Sequence, residues 1–250
     1  MSAAAVPLAG GKWRMVVWEH PEWWAILVSG WAWIYLLASG AGGAGGGSHI
    51  HGGGYLANPN GNFVEGLGAV GLHWSVMIAA MMVPPLAGQL RVVAARSLWC
   101  RRNRAMVLFL GGYASLWLAY GLAAEAGLKL GKRIAPGAMT RFVCVCFVVA
   151  ALWQVTAQKR KSLVSCHFTI PIAPDGWRAD FDCCRYGIQT AVSCCTSCWA
   201  LMLACAATGH ALWAIAVVTI VFWSERFLRR PRQLWFCAAL IVVALTEIVK

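Results

Sequence analysis

Charge is what this 250-residue chain has least of. Only 12% of its residues are Asp, Glu, Lys or Arg, against roughly 25% in an ordinary soluble domain. Acidic residues are the scarcest, 9 against 21 basic ones. So few charges cannot cover the surface of a water-soluble globule, and the 60% apolar composition excludes an intrinsically disordered chain. The chain also lacks a G-x-x-x-x-G-K-[ST] phosphate loop, a G-x-S-x-G nucleophile elbow and an H-E-x-x-H metalloprotease motif. An ATP-driven pump and a serine hydrolase are therefore without support. No charged n-region, h-region and cleavage site succeed one another at the start, so an uncleaved N-terminus is expected.

Apolar blocks fill the rest. A helix that crosses a bilayer needs about 20 mostly apolar residues. Seven blocks come near that: 23–39, 66–90, 105–128, 140–158, 188–208, 211–223 and 234–249. In lipid each must be helical, because unpaired backbone groups cost too much there. The expected fold is all-α: one membrane domain over 1–250, a polytopic transmembrane bundle of six or seven spans. The first and seventh blocks are the ones whose crossing is open. With a cytoplasmic N-terminus, sixteen of the 21 Lys and Arg fall inside and five outside, as the positive-inside rule asks. This places the chain in a bacterial cytoplasmic (inner) membrane with the lipid bilayer as partner. It also argues against nucleic acid as the reason for the +12 net charge.

Two connections are long. The outer one, 40–65, has Gly at nine of the fifteen positions 40–54 and carries His49 and His51. The inner one, 159–187, carries Cys166, His167, Cys183 and Cys184. Only Gly209 and His210 separate the blocks 188–208 and 211–223, which predicts a tight hairpin with glycine at a helix C-cap.

The 11 cysteines are unevenly spread. Cys183, Cys184, Cys194, Cys195 and Cys198 fall within sixteen residues, and Cys194 and Cys198 share one helical face. Cys195 and Cys198 form a C-x-x-C at the expected start of the fifth block, where a helix N-terminus favours thiolate. Thiolates suit copper(I), zinc or an iron–sulfur cluster, and the same spacing suits dithiol redox chemistry. The competing reading is packing, because cysteine is a small, often buried side chain; Cys144, Cys146 and Cys237 are read that way. A second group is His49, His51 and His73, with Met77 and Met81 continuing from His73 at i+4 and i+8. Imidazole with thioether favours copper, although a methionine stripe also serves as packing. His210 lies on the same expected side. Glu125 is read as snorkelling, and Glu225 as a structural ion pair with Arg226.

Three stretches carry a family resemblance: HWSVMIAAMMVPPL at 73–86, QVTAQKRKSLVSCH at 154–167, and YGIQTAVSCCTSCWALMLACAATG at 186–209, followed by Glu225. They resemble a bacterial family of predicted metal-binding integral membrane proteins of uncharacterised function. The resemblance implies metal binding and no particular reaction. Cys183, Cys184 and the neighbouring Asp residues are not part of that pattern, and the glycine–histidine loop varies.

The function these readings favour is a metal-binding membrane protein that handles or delivers copper, with zinc as the alternative ion, and that is not itself catalytic. The expected ligands are Cys194, Cys195, Cys198, Cys183, Cys184, Cys166 and His167 inside, and His49, His51, His73, Met77 and Met81 outside. Two other classes stay open: an accessory structural subunit of a membrane oxidoreductase complex, and a membrane thiol–disulfide oxidoreductase.

Overall fold

The computed structural model describes residues 20–42, 63–166, 168–173, 175–227 and 236–242. Among them there is no β-strand. The helices are α1 (Trp23–Gly42), α2 (Phe63–Met77), α3 (Ala87–Arg96), α4 (Arg102–Ile134), α5 (Met139–Gln154), α6 (Ala157–Ser165), α7 (Gly176–Ala207) and α8 (Leu212–Phe227). A further helical stretch covers 236–242. Two helical segments, Trp99–Ile134 and Gly176–Ala207, are long and apolar enough to cross a membrane. The count rises to four if two bent pairs each form one span.

The long helices α4 and α7 lie against each other, and glycine sets how closely. A Cβ on Gly112 would sit 2.3 Å from the Cys184 carbonyl oxygen, and one on Gly187 would sit 2.1 Å from the Phe109 carbonyl oxygen. Each helix thus offers a glycine to the other's backbone, the small-residue contact that membrane helices use. Gly121 does the same for a side chain: its Cβ would lie 2.3 Å from the Trp74 ring. Gly111, by contrast, faces open space. Gly187→Ala is expected to push the helices apart and cost about 1–3 kcal/mol. Thermal unfolding in detergent measures this, and Gly111→Ala is the control that should leave the transition in place.

The block 66–90 is broken. After α2 the chain passes through a π-turn (Ile78–Met82) and a 3-10 turn (Pro84–Leu86) before α3. The two halves meet at 56°. Pro84 and Pro85 have no N–H to donate to the carbonyls four residues back, those of Ala80 and Met81. Side chains from other helices take over. Ser29 Oγ and Trp33 Nε1, both on α1, each donate to Ala80 O at 3.0 Å, and Trp223 Nε1 on α8 donates to Met81 O at 2.8 Å. The kink is thereby what ties α1 and α8 to the centre of the bundle.

The expected inner loop 159–187 is corrected. Residues 157–165 form α6, bent 71° from α5, and 176–187 are the first turns of α7. The polar residues that read as a loop are a helical extension. Asp180 there pairs with Arg101 and Arg104, at 2.5 Å in each case, which holds the extension against the start of α4. The hairpin after α7 is as expected: Gly209 and His210 take φ values of +68° and +59°, and His210 N–H donates to Cys205 O at 3.1 Å. The block 234–249 falls mostly outside the described residues.

Candidate metal centre

Cys194 and Cys198 lie one turn apart in the middle of α7, and both are fully buried. From α4, Tyr113 Oη donates to Cys194 Sγ at 3.1 Å. At the end of α6 lies Cys166, equally buried, whose carbonyl accepts Gln89 Nε2 of α3 at 3.0 Å. From α8, Arg226 Nη2 donates to Cys166 Sγ at 3.1 Å, and the same guanidinium interacts with Cys194, Cys198 and Tyr113. Three thiols therefore surround one cation. Its Nε and Nη1 are buried without a hydrogen-bond partner among the described residues.

Beside the thiols lies a neutral ion pair. Lys159 Nζ donates to Glu225 Oε1 at 2.8 Å and to Gln154 Oε1, and the paired side chains have no exposed surface. The bend after α5 makes this possible. Thr156 caps α6 by accepting Lys159 N–H at 3.2 Å, and α6 then turns its first lysine inward. Ser197 Oγ stands 3.2 Å from Cys198 Sγ.

Among the described residues the net fixed charge beside the thiols is that of Arg226, because Lys159 and Glu225 cancel. A cation with donors to spare compensates the negative charge of a metal–thiolate complex. Burial pushes the Cys166 thiol up to about 11, with Arg226 pulling the other way. Among the described residues, no group of three or more His, Cys, Asp or Glu is arranged to hold a metal ion. The described residues thus offer no closed four-ligand zinc site. A pair of thiols one turn apart suits a soft ion of low coordination number, which is copper(I).

The other expected ligands fare differently. Cys183 and Cys184 lie on the same unbroken helix as Cys194, roughly 15 Å away along it, so the five cysteines do not converge. Cys183 is buried near Asp180 and Arg101, and the Cys184 backbone packs on Gly112. Cys195 is half-buried and lies within electrostatic reach of both Cys194 and Tyr120. The C-x-x-C is also not at a helix N-terminus, which removes that support for dithiol chemistry; none of the cysteines is in a disulfide. His49, His51 and His167 lie outside the described residues. Met77 and Met81 are fully buried, but the π-turn begins after Met77 and breaks the i+8 register that would align Met81 with His73. His73 instead meets His210, with ring centroids 4.8 Å apart.

Sequence reasoning had no place for Tyr113, Gln154 or Lys159 at this site, and it paired Glu225 with the wrong cation. Neighbouring residues on a helix do not face each other. A signal was available: a carboxylate at the end of an apolar block needs a partner, and Lys159 is a cation within one of the family-like stretches.

Among the described residues the protein is an all-helical bundle that buries three thiols around one guanidinium. Residues 71–249 match the family model PpoB2, described as copper chaperone. That is most of the chain, and the chain belongs to this family. Membership supports copper handling. No curated protein and no solved structure matches the chain.

Proposed function

We propose that the chain is a membrane-embedded copper chaperone that holds one copper(I) between the thiolates of Cys194 and Cys198, with Arg226, which also donates to Cys166, balancing the charge. The observation that carries this is the buried Arg226 guanidinium, turned into the thiols with two nitrogens unpaired among the described residues. A monovalent ion between two thiolates bears one negative charge, and Arg226 makes the buried assembly neutral. A divalent zinc there would leave a net positive charge in a medium that penalises it.

Membrane embedding is supported by the outward face of the helices. Trp31 is 70% exposed, Ile34 57%, Leu152 59% and Ile220 66%, large apolar side chains that a bilayer would cover. In this reading the bundle has six or seven spans with a cytoplasmic N-terminus in a bacterial inner membrane. The thiols, though buried, then belong to a protein of a reducing compartment, which keeps them as thiols. The receiver would be a copper-requiring membrane protein or complex.

The test is to purify the full chain in mild detergent, load it anaerobically with copper(I) and record X-ray absorption at the copper edge. Retained copper with sulfur neighbours is expected; a chain that retains none overturns the reading. Arg226→Gln is expected to weaken copper(I) binding by about 10- to 100-fold, the usual cost of losing a group that supports the ligands. Competition with a copper(I) chelator measures it, and Arg226→Lys should lose less.

A further inference from the structure

We propose that His73 and His210 form a second copper(I) site, at the opposite end of α7 from its charged extension, with Glu125 orienting His210. The choice of ion rests on the copper reading above; the geometry does not.

Three separate elements build the site. His73 comes from α2, Glu125 from the second half of α4, and His210 from the α7–α8 turn. The two imidazole centroids are 4.8 Å apart with planes tilted by 53°. Glu125 Oε1 faces His210 Nδ1 at 3.8 Å. Trp74 closes another side, edge-on to His210 at 5.4 Å. His210 is 3% exposed and Glu125 8%. A turn histidine ordinarily sits in water; this one is folded inward.

Its backbone carries a cost for that. His210 is the one residue other than glycine with positive φ among those described, at +59°. The left-handed region is uncommon for side chains with a Cβ, and such conformations persist where the surroundings enforce them. The preceding glycine, also left-handed, completes the reversal. The paired reversal drops His210 onto Glu125 and His73.

At 3.8 Å Glu125 is an ion-pair neighbour of His210 Nδ1, just outside hydrogen-bond distance; closed to contact, a carboxylate at one ring nitrogen is the arrangement that readies histidine for a metal. It fixes the ring's orientation and raises the basicity of the other nitrogen. With Nδ1 facing Glu125, Nε2 is the nitrogen that would take the ion. Two imidazoles suffice for copper(I) and fall short of zinc's four ligands. Met77, one turn along α2 from His73 and fully buried, places a thioether on the same face. The site is distinct from the thiol centre, since Cys198 and the end of α7 are separated by roughly 14 Å of helix. One helix and its turn would thus carry a nitrogen site at one end and a sulfur site at its middle, an ordering suited to capture followed by transfer.

The experiment uses the full chain with Cys166, Cys194 and Cys198 changed to Ser, loaded with copper(I) and measured by X-ray absorption and chelator competition. One copper with nitrogen neighbours should remain. Adding His210→Asn, which tolerates the left-handed backbone, or His73→Gln should remove it, and Glu125→Gln should weaken it about 10- to 100-fold. Thermal unfolding of each variant verifies the fold. The inference is overturned if the folded triple-serine chain holds no copper, or if its copper survives both histidine changes. Wild-type chain with copper bound by sulfur alone would overturn this site and leave the thiol reading standing; wild-type chain with no copper overturns both.

Discussion

Cys198→Ser is expected to cost more copper(I) affinity than any change that spares a ligand, beyond the roughly 10- to 100-fold that follows loss of an orienting partner. Cys194→Ser should match it. Serine keeps the shape and the capacity to hydrogen-bond with Ser197 and Tyr113, so the bundle is retained while the soft donor is lost. Cys183→Ser and Cys184→Ser should leave affinity unchanged, because α7 is unbroken and separates them from Cys194 by roughly 15 Å. Cys195→Ser should have little effect, since successive residues on a helix do not face the same side and Cys195 is not on the Cys194–Cys198 face. Chelator competition on the five single variants gives a pattern that sequence proximity would not produce. Equal losses at all five positions would mean that the cysteines act together, and would sink the two-thiolate site.

That pattern shows where the sequence was readable and where it was not. The helices were readable because long apolar blocks without turn residues satisfy their backbone groups within the segment. Their breaks were readable in part: Pro84-Pro85 announced a bend, but not that Ser29, Trp33 and Trp223 would receive the freed carbonyls. The stretch 176–187 misled because its charges looked like a loop. They are a helix that outruns the apolar length, with Asp180 held by Arg101 and Arg104. The cysteine cluster misled for the same reason. Residues close in sequence converge in space only if the chain bends between them, and here it does not. The real convergence, of Cys166, Cys194, Cys198 and Arg226, comes from three segments and depends on the bend at Thr156, which no local spacing encodes. His210 was the opposite case: its place in a tight turn was legible, and its inward fold onto Glu125 follows from two successive left-handed residues.

Lys159→Met is expected to destabilise the chain by about 3–5 kcal/mol, because it leaves the Glu225 carboxylate buried without its cation. Glu225→Leu should do comparable damage by stranding the ammonium. The double variant Lys159→Met/Glu225→Leu should recover much of the loss, since replacing a whole buried pair with apolar groups is often neutral. Thermal unfolding of the four proteins yields the coupling between the two residues. The same series tests the charge arithmetic of the centre. Lys159→Met makes the surroundings of the thiols one charge more negative, and so disfavours two thiolates with one copper(I). The double variant restores the balance, so its copper affinity should return toward wild type even though both polar residues are gone. If affinity instead falls in the double variant as far as in Lys159→Met, the pair contributes something other than charge neutrality. Arg226 would then not be the only compensating cation in the site.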